Sequence, residues 1–109
     1  MDVFKISEII NEQARGGRSY HEFVRSHDLS VGLYCLPAGA VDPQDPHTED
    51  EIYYLIRGNG VVNIGGQDQP VREGSTIFVR KGVEHKFHSI TEDLTILVVF
   101  APPRRSKAV

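Results

Sequence analysis

The chain has 109 residues, 39% of them hydrophobic and 25% charged, and a formal net charge of −3. This length fits one domain, because two domains would each be too small to bury enough apolar surface. Lysine and arginine are scattered, no run reaches the apolar length of a membrane helix, and the start MDVFKISEII lacks the pattern of a secretory signal. Cys35 is the single cysteine, so no internal disulfide can form. We therefore expect a cytoplasmic protein with neither nucleic acid nor membrane as a partner.

The N-terminal segment predicts one short helix, and the rest of the chain predicts strands. Ile6, Ile9 and Ile10 recur at helical spacing within residues 5–14, and Gly16-Gly17 ends that pattern. About eight short segments with strand-like composition follow, several of them separated by glycine-containing turns, which is typical of an all-β sandwich or barrel. The predicted strands are Ser19–Ser26, Leu29–Leu36, Glu51–Arg57, Gly60–Ile64, Gln69–Arg72, Thr76–Val79, Glu84–His88 and Leu94–Ala101. Gly58-Asn59-Gly60 and Gly65-Gly66 predict tight hairpins, and Glu73-Gly74 and Lys81-Gly82 predict further turns.

Two segments, residues 39–58 and 74–89, concentrate the residues that can ligate a metal. If the first strand is regular from His47, then His47, Glu51 and Tyr53 share one face. His85 in the second segment supplies another imidazole, and two imidazoles with one carboxylate suit Fe(II), Mn, Ni, Co or Zn. The same residues also fit exposed polar positions beside a strand, so this pattern alone leaves both interpretations open.

The two segments resemble the two motifs of the cupin superfamily. The first motif places Gly, His-x-His, Glu and Gly at fixed spacings, and the second places Gly, Pro-x-Gly, His and Asn. The positions that match are Gly39, His47, Glu51 and Gly58 in the first motif, and Gly74, Gly82 and His85 in the second. The resemblance implies an all-β fold, a single antiparallel β-barrel or jelly roll, with a short N-terminal helix. From this resemblance together with the length, the helical spacing and the basic segment after Pro102-Pro103, we expect one domain over residues 1–109, with the helix and edge strands in 1–38 and a flexible tail in 102–109.

Three positions depart from the cupin pattern. Arg80 replaces the proline and Ser89 the asparagine, which we expect to matter only structurally. Asp45 occupies the position of the first histidine, which family members with four ligands use. Three alternatives remain for that position: Asp45 supplies a carboxylate oxygen, Gln44 supplies a neutral oxygen, or water fills it. The expected metal ligands are therefore Asp45, His47, Glu51 and His85, with Gln44 as the alternative to Asp45.

The resemblance implies a metal-binding protein but does not fix the reaction, because cupins host many functions. The expected function is that of a metal-dependent enzyme on a small polar organic substrate, with dioxygenase-like chemistry ahead of isomerase or lyase chemistry. The alternatives are a non-catalytic ligand-binding or sensor protein and a structural barrel without metal. A homodimer is expected, with Ser19–Ser26 in or near its interface, because pairing across a two-fold axis covers an open sheet edge. Arg104, Arg105 and Lys107 are interpreted as a solvated chain end, and His21, His27 and His88 as surface residues.

Overall fold

A computed structural model describes residues 2–105 of the chain as one helix and six strands. The prediction of an all-β fold with one short N-terminal helix is confirmed. In chain order the elements are α1 (Ile6–Gly16), β1 (Tyr20–Arg25), β2 (Ser30–Leu36), β3 (Asp50–Ile64), β4 (Gln67–Arg72), β5 (Thr76–Val79) and β6 (His85–Ala101). At 11 residues, α1 is well short of the roughly 20 apolar residues that a transmembrane helix requires, and no described helix is a candidate span. The expected cytoplasmic location stays a prediction.

Helix α1 covers one end of the sheet. It packs against β1 and β2 and buries Ile9, one of the residues whose spacing predicted the helix. Gly17 ends it in the left-handed conformation at φ 69°, which glycine adopts without steric cost. The helix therefore extends two residues beyond the predicted 5–14.

The six strands form one antiparallel sheet in the order β1-β2-β6-β3-β4, and β5 pairs with β3. The sheet does not close on itself, so β1 and β4 remain at its ends, in contrast to the full closure expected of a barrel. Inward side chains from β2 to β6 nevertheless form one apolar core. Its most deeply buried members include Tyr53, Leu55, Phe87, Leu94 and Ile96.

The two longest strands were each predicted as two shorter strands, and those predictions were wrong. Strand β3 continues through Gly58-Asn59-Gly60, which is not a hairpin but a region of register shifts against β6. A β-bulge uses such residues to bend a strand without ending it. Gly58 has φ 113°, and a Cβ there would lie 2.5 Å from the carbonyl oxygen of Asp93. Glycine is needed here because β6 approaches closely, and not because the chain reverses.

The remaining turns agree with the sequence. Gly65-Gly66 joins β3 to β4 as a two-residue hairpin loop with positive φ at both residues. Glu73-Gly74 and Lys81-Gly82 are turns before β5 and after it.

The expectation of a flexible tail from residue 102 is wrong for residues 102–105. Pro103 is buried, and the amide of Arg104 donates a hydrogen bond to Ser30 Oγ at 2.8 Å. The amide of Arg105 donates to Glu49 Oε1, also at 2.8 Å. Ser30 and Glu49 are both buried, so the chain end satisfies polar groups that would otherwise lack partners. Lys107 and the rest of the predicted tail, 106–109, lie outside the described residues.

Candidate metal centre

The loop between β2 and β3 is anchored by a buried carboxylate, that of Asp42. It accepts hydrogen bonds from the Tyr34 hydroxyl at 2.6 Å, the Phe87 amide at 2.9 Å and the Gln44 side-chain amide at 2.8 Å. Tyr34 lies on β2 and Phe87 on β6, so one side chain ties the loop to two strands. This anchor fixes the approach of the segment that carries Gln44, Asp45 and His47.

Three predicted ligands converge at the end of this loop. Glu51 lies at the start of β3, His85 begins β6, and His47 reaches them from the loop before β3. Glu51 Oε1 is 3.0 Å from His85 Nε2 and 3.4 Å from His47 Nε2. One ligand atom from each residue lies within 4.8 Å of the other two. The structure therefore brings together the two imidazoles and the carboxylate. The predicted alternation of side chains assumed a strand that begins at His47, whereas β3 begins at Asp50.

A glycine of the second motif holds the two segments together. The amide of Gly82 donates a hydrogen bond to the carbonyl oxygen of His47 at 2.8 Å. Gly82 has φ 78°, in the left-handed region that favours glycine. This conformation places the turn before His85 against the backbone of His47. The spacing of the second motif therefore helps to set the position of His85 relative to His47.

Polar atoms at the centre of the cluster lack hydrogen-bond partners. Both carboxylate oxygens of Glu51 and Nε2 of His85 are buried without a hydrogen-bond partner, although Glu51 Oε1 and His85 Nε2 lie only 3.0 Å apart. Leaving a buried polar group unsatisfied costs about 1–3 kcal/mol, and more for a charged one. Buried charges are ordinarily paired or coordinate metals. Two nitrogens and a carboxylate are a suitable donor set, so the cluster could bind a divalent metal ion.

The hydrogen bonds of the His85 ring favour metal binding. Its Nδ1 lies 2.9 Å from the Val83 carbonyl oxygen, which can only accept, so Nδ1 carries the proton. The lone pair of the neutral ring is then on Nε2, the nitrogen that faces Glu51. Burial by itself lowers the pKa of His85, but the Glu51 carboxylate and the Val83 carbonyl outweigh burial and raise it above its usual value.

His47 is held in a different environment. Its ring packs edge-on against Phe100 with the ring centres 5.2 Å apart, and its side chain is 18% exposed. Burial is the main cause of a lowered pKa of His47, opposed by the charge of Glu51 and reinforced by His85 and Arg104. The ring therefore favours the neutral form, which a metal ligand requires.

The structure separates the two candidates for the position of the missing histidine. Gln44 is half-buried, and its Oε1 lies 3.1 Å from His47 Nε2 and accepts a hydrogen bond from the Tyr53 hydroxyl at 3.0 Å. Asp45 is exposed and is not among the residues whose ligand atoms cluster in the described part of the chain. Its role as a ligand stays a prediction.

A cavity of about 420 Å³ adjoins the ligands, and Arg104 lines it. Its other lining residues include Tyr20, Gln44, His47, Glu51 and Tyr53. Arg104 was expected in a solvated tail and was therefore not among the predicted site residues. The sequence carries a signal only in Pro102-Pro103, which stiffens the chain just before the arginines.

The other histidines lie away from the three ligands. His27 is fully exposed in a turn beside Asp28, and His21 pairs with Glu12 of α1. His88 lies on β6 with its ring 2.9 Å from Asp68. The interpretation of these histidines as surface residues agrees with their exposure, although His21 and His88 are only partly exposed.

An antiparallel sheet around one apolar core, with two histidines and a glutamate converging beside a cavity, defines a class of small all-β proteins with a possible metal site. The family described as the cupin domain matches residues 32–100, which span both motifs. The chain belongs to the cupin family.

The chain is also similar to relatives over almost its full length. An uncharacterized protein of Streptomyces coelicolor is 44% identical over 103 residues, which cover 94% of this chain and 98% of the relative. The oxalate-binding protein of Thermotoga maritima is 33% identical over 112 residues, covering 89% and 91%. A crystal structure of a Bacillus halodurans protein aligns with a TM-score of 0.79 and 20% identity, covering 94% of this chain and 82% of that one, and supports the fold alone.

Proposed function

We propose that this cupin is a metal-dependent enzyme acting on a small polar organic substrate, with one divalent transition-metal ion held by His47, Glu51 and His85. The observation that carries the proposal is the buried Glu51 carboxylate, whose oxygens have no hydrogen-bond donor while two imidazoles converge on it. Without a metal, only protonation of an adjacent imidazole such as His85 would compensate that buried charge, whereas a divalent ion compensates it with both imidazoles neutral. Two imidazoles and one carboxylate also leave coordination positions for a substrate.

The donor set is compatible with Fe(II), and also with Mn, Ni, Co or Zn. When bound, such an ion supplies Lewis acidity, and iron in addition supplies oxygen chemistry, so an oxygenase-like reaction is the first candidate. The protein's own residues shape the site. Phe100 supports the His47 ring, and the hydroxyl of Tyr53 stays protonated because burial raises its pKa. Tyr53 can therefore act only as a hydrogen-bond donor or acceptor near neutral pH.

Gln44 is proposed as the fourth ligand in place of the missing histidine. The Asp42 carboxylate can only accept hydrogen bonds, so the NH₂ group of Gln44 must face Asp42. The amide oxygen then faces His47 and Tyr53, on the side of the metal ligands. Because the loop anchor fixes the amide orientation, Gln44 presents an oxygen without any rearrangement.

A non-catalytic ligand-binding protein is the second candidate function. One observation favours it: the Thermotoga relative, 33% identical over most of both chains, is named for binding oxalate and for no reaction. A cavity of about 420 Å³ can enclose a molecule of that size class. The same metal site would serve both functions, since a metal that binds a substrate can equally bind a ligand that is not turned over.

Two measurements test these proposals in sequence. Elemental analysis of protein purified without chelator should give close to one divalent metal per chain, and His47→Ala should lose most of it. Small organic acids and polyols are then incubated with Fe(II)- and Mn(II)-loaded protein, with and without O₂, beside the same variant. Metal-dependent turnover supports an enzyme, whereas binding without turnover supports the second candidate. A wild-type protein without metal after reconstitution would contradict both.

The homodimer is proposed from the position of β1. Strand β1 pairs with β2 on one side and is the end strand of the sheet among the described residues. An end strand exposes backbone donors and acceptors that a second copy can pair with. Light scattering at micromolar concentration should give twice the mass of the chain, and hydrogen exchange in β1 should accelerate on dilution. A monomeric mass contradicts the dimer, and unchanged exchange in β1 places the interface elsewhere.

A further inference from the structure

Arg104 lines the cavity beside the candidate metal ligands, and its guanidinium forms no salt bridge within the described residues. Arg104 lines the same cavity as His47 and Glu51, and its guanidinium carbon lies 4.6 Å from the centre of the Tyr20 ring. Within residues 2–105, no carboxylate forms a salt bridge with it, and its guanidinium makes no hydrogen bond. Guanidinium has five N–H donors in a planar fork, so this group has its full capacity available for a ligand.

The position of Arg104 is built into the fold. Its amide donates to the buried Ser30 hydroxyl at 2.8 Å, and its carbonyl accepts from Arg25 Nη1 at 3.0 Å. The Tyr20 ring that supports the guanidinium lies directly against Gly32, where a Cβ would come within 2.2 Å of the ring atoms. The Tyr20 ring therefore occupies a position that any side chain larger than glycine at residue 32 would block. The backbone is fixed on two sides and the side chain rests on an aromatic face, which limits the entropy lost when a ligand binds.

We propose that Arg104 is the anion-recognising residue of this cavity, and that the ligand is a small organic acid with two acidic groups, one at the metal and one at Arg104. This inference rests on the proposed function, because it requires the metal held by His47, Glu51 and His85. Glu51 is the single carboxylate among those ligands, so a divalent ion keeps excess positive charge. The positive groups lining the cavity are then the ion, Arg104 and Arg105, beside the carboxylates of Asp45, Glu49 and Glu51. Of the two arginines, Arg104 has its guanidinium placed over an aromatic ring. A planar guanidinium pairs best with a carboxylate through two parallel hydrogen bonds. A molecule with one acidic group engages either the ion or Arg104.

The test uses full-length metal-loaded protein and calorimetric titration with acids paired by carbon count. Oxalate, malonate and succinate are compared with acetate, propanoate and butanoate, in the wild type and in Arg104→Gln. We expect Arg104→Gln to weaken binding of at least one dicarboxylate by about 10- to 100-fold, as charge-assisted hydrogen bonds are lost. Binding of the paired monocarboxylate should change by less than about threefold. Arg104→Lys should restore part of the affinity, since it returns the charge without the planar fork.

Arg72→Gln is the matched control, because Arg72 is exposed on β4 and does not line this cavity. It should bind every acid like the wild type. Metal content and thermal unfolding are measured for each variant. A wild type without metal overturns the proposed function. Three outcomes overturn the inference alone, provided that the protein retains its metal. The first is that Arg104→Gln binds the acids like the wild type, the second is that Arg104→Gln and Arg72→Gln lose affinity equally, and the third is that no dicarboxylate binds.

Discussion

Strand β6 carries two histidines that each face a carboxylate, and the two pairs differ in almost everything except distance. His85 and Glu51 lie 3.0 Å apart with both side chains 1% exposed, whereas His88 and Asp68 lie 2.9 Å apart and are 43% and 58% exposed. His88 also contacts Ser89, and Asp68 accepts a hydrogen bond from Asn63. In this outer pair, His88 and Asp68, the polar atoms have neighbouring hydrogen-bond partners and access to solvent. In the inner pair, His85 and Glu51, buried polar atoms lack hydrogen-bond partners and are shielded from solvent.

Residue type and distance alone therefore do not distinguish a cluster that could bind a metal from an exposed ion pair. His88 and Asp68 line a second and larger cavity of about 720 Å³, yet they do not belong to any cluster of three ligand residues in residues 2–105. Exposed ion pairs contribute little because water competes for both partners. What distinguishes the inner pair is a third ligand, His47, together with burial that leaves lone pairs without donors. These two properties can be tested separately.

The largest contrast is expected in metal content. His85→Ala should lower metal affinity by more than about 100-fold, since even the loss of partners that only orient metal ligands costs 10- to 100-fold. His47→Ala should do the same. His88→Ala, three residues along the same strand, should retain the wild-type metal content. Elemental analysis and competition with a chromophoric chelator measure both quantities. Equal metal content in His85→Ala and His88→Ala would remove the distinction between the two pairs.

A second contrast concerns pH. Metal binding requires neutral imidazoles, so protons compete with the metal as pH falls. Because the pKa of His85 is raised, competition at His85 begins above the usual histidine pKa of about 6.5, and competition at His47, whose pKa is lowered, begins at lower pH. One competing proton costs about tenfold in affinity per pH unit, so affinity should fall by about 100-fold between pH 7 and pH 5.

The His88→Ala variant serves as the control for this profile, because a histidine remote from the metal should not alter it. Affinity is measured by chelator competition at fixed ionic strength. Flat affinity from pH 5 to 8 would show that the histidines are not ligands.

Much of the fold could be predicted from local patterns. Strand β5 has the predicted bounds, and the Gly65-Gly66 hairpin follows from two glycines between apolar runs. The continuity of β3 could not be predicted, because a glycine pair at a bulge and one in a hairpin have the same local sequence. The difference lies in the approach of Asp93 and Leu94 to Gly58, a contact between residues 35 or more positions apart.

The convergence of His47, Glu51 and His85 could be predicted from the motif spacing, while the surroundings of these residues could not. His47 lies in a loop and not on the strand, held by Gly82 and by Gln44, which Asp42 anchors, through contacts that no periodicity encodes. Arg104 follows β6 and reaches the cavity through a hydrogen bond to Ser30, 74 residues earlier. Side chains that line a cavity from distant segments leave no spacing signal.

The third prediction concerns stability without metal. Glu51→Gln removes a buried charge whose oxygens have no donors, so the metal-free variant should be more stable than the metal-free wild type by about 1–3 kcal/mol. The measurement is made at pH 9 with chelator, where the imidazoles are neutral, by denaturant unfolding. Added metal should stabilise the wild type but not the variant. Asp68→Asn is the exposed counterpart and should change neither quantity. A metal-free Glu51→Gln variant that is less stable than the wild type would mean that Glu51 is compensated within the protein.

The smallest expected effect is the change in metal affinity on substitution near the position of the missing motif histidine. The two adjacent candidates there, Gln44 and Asp45, differ in burial, as the two histidine–carboxylate pairs do. Gln44 is half-buried with its oxygen 3.1 Å from His47 Nε2, whereas Asp45 is exposed. Gln44→Ala should lower metal affinity by about tenfold, as the loss of a neutral oxygen ligand removes one bond and no charge. Asp45→Ala should lower it by less than about threefold, and the opposite ranking would assign the position to Asp45. Asp45→His restores the family's residue and should raise affinity for Zn and Ni, which prefer imidazole to carboxylate. If Asp45→His leaves both affinities unchanged, the loop anchored at Asp42 holds residue 45 away from the metal, and Gln44 retains its place.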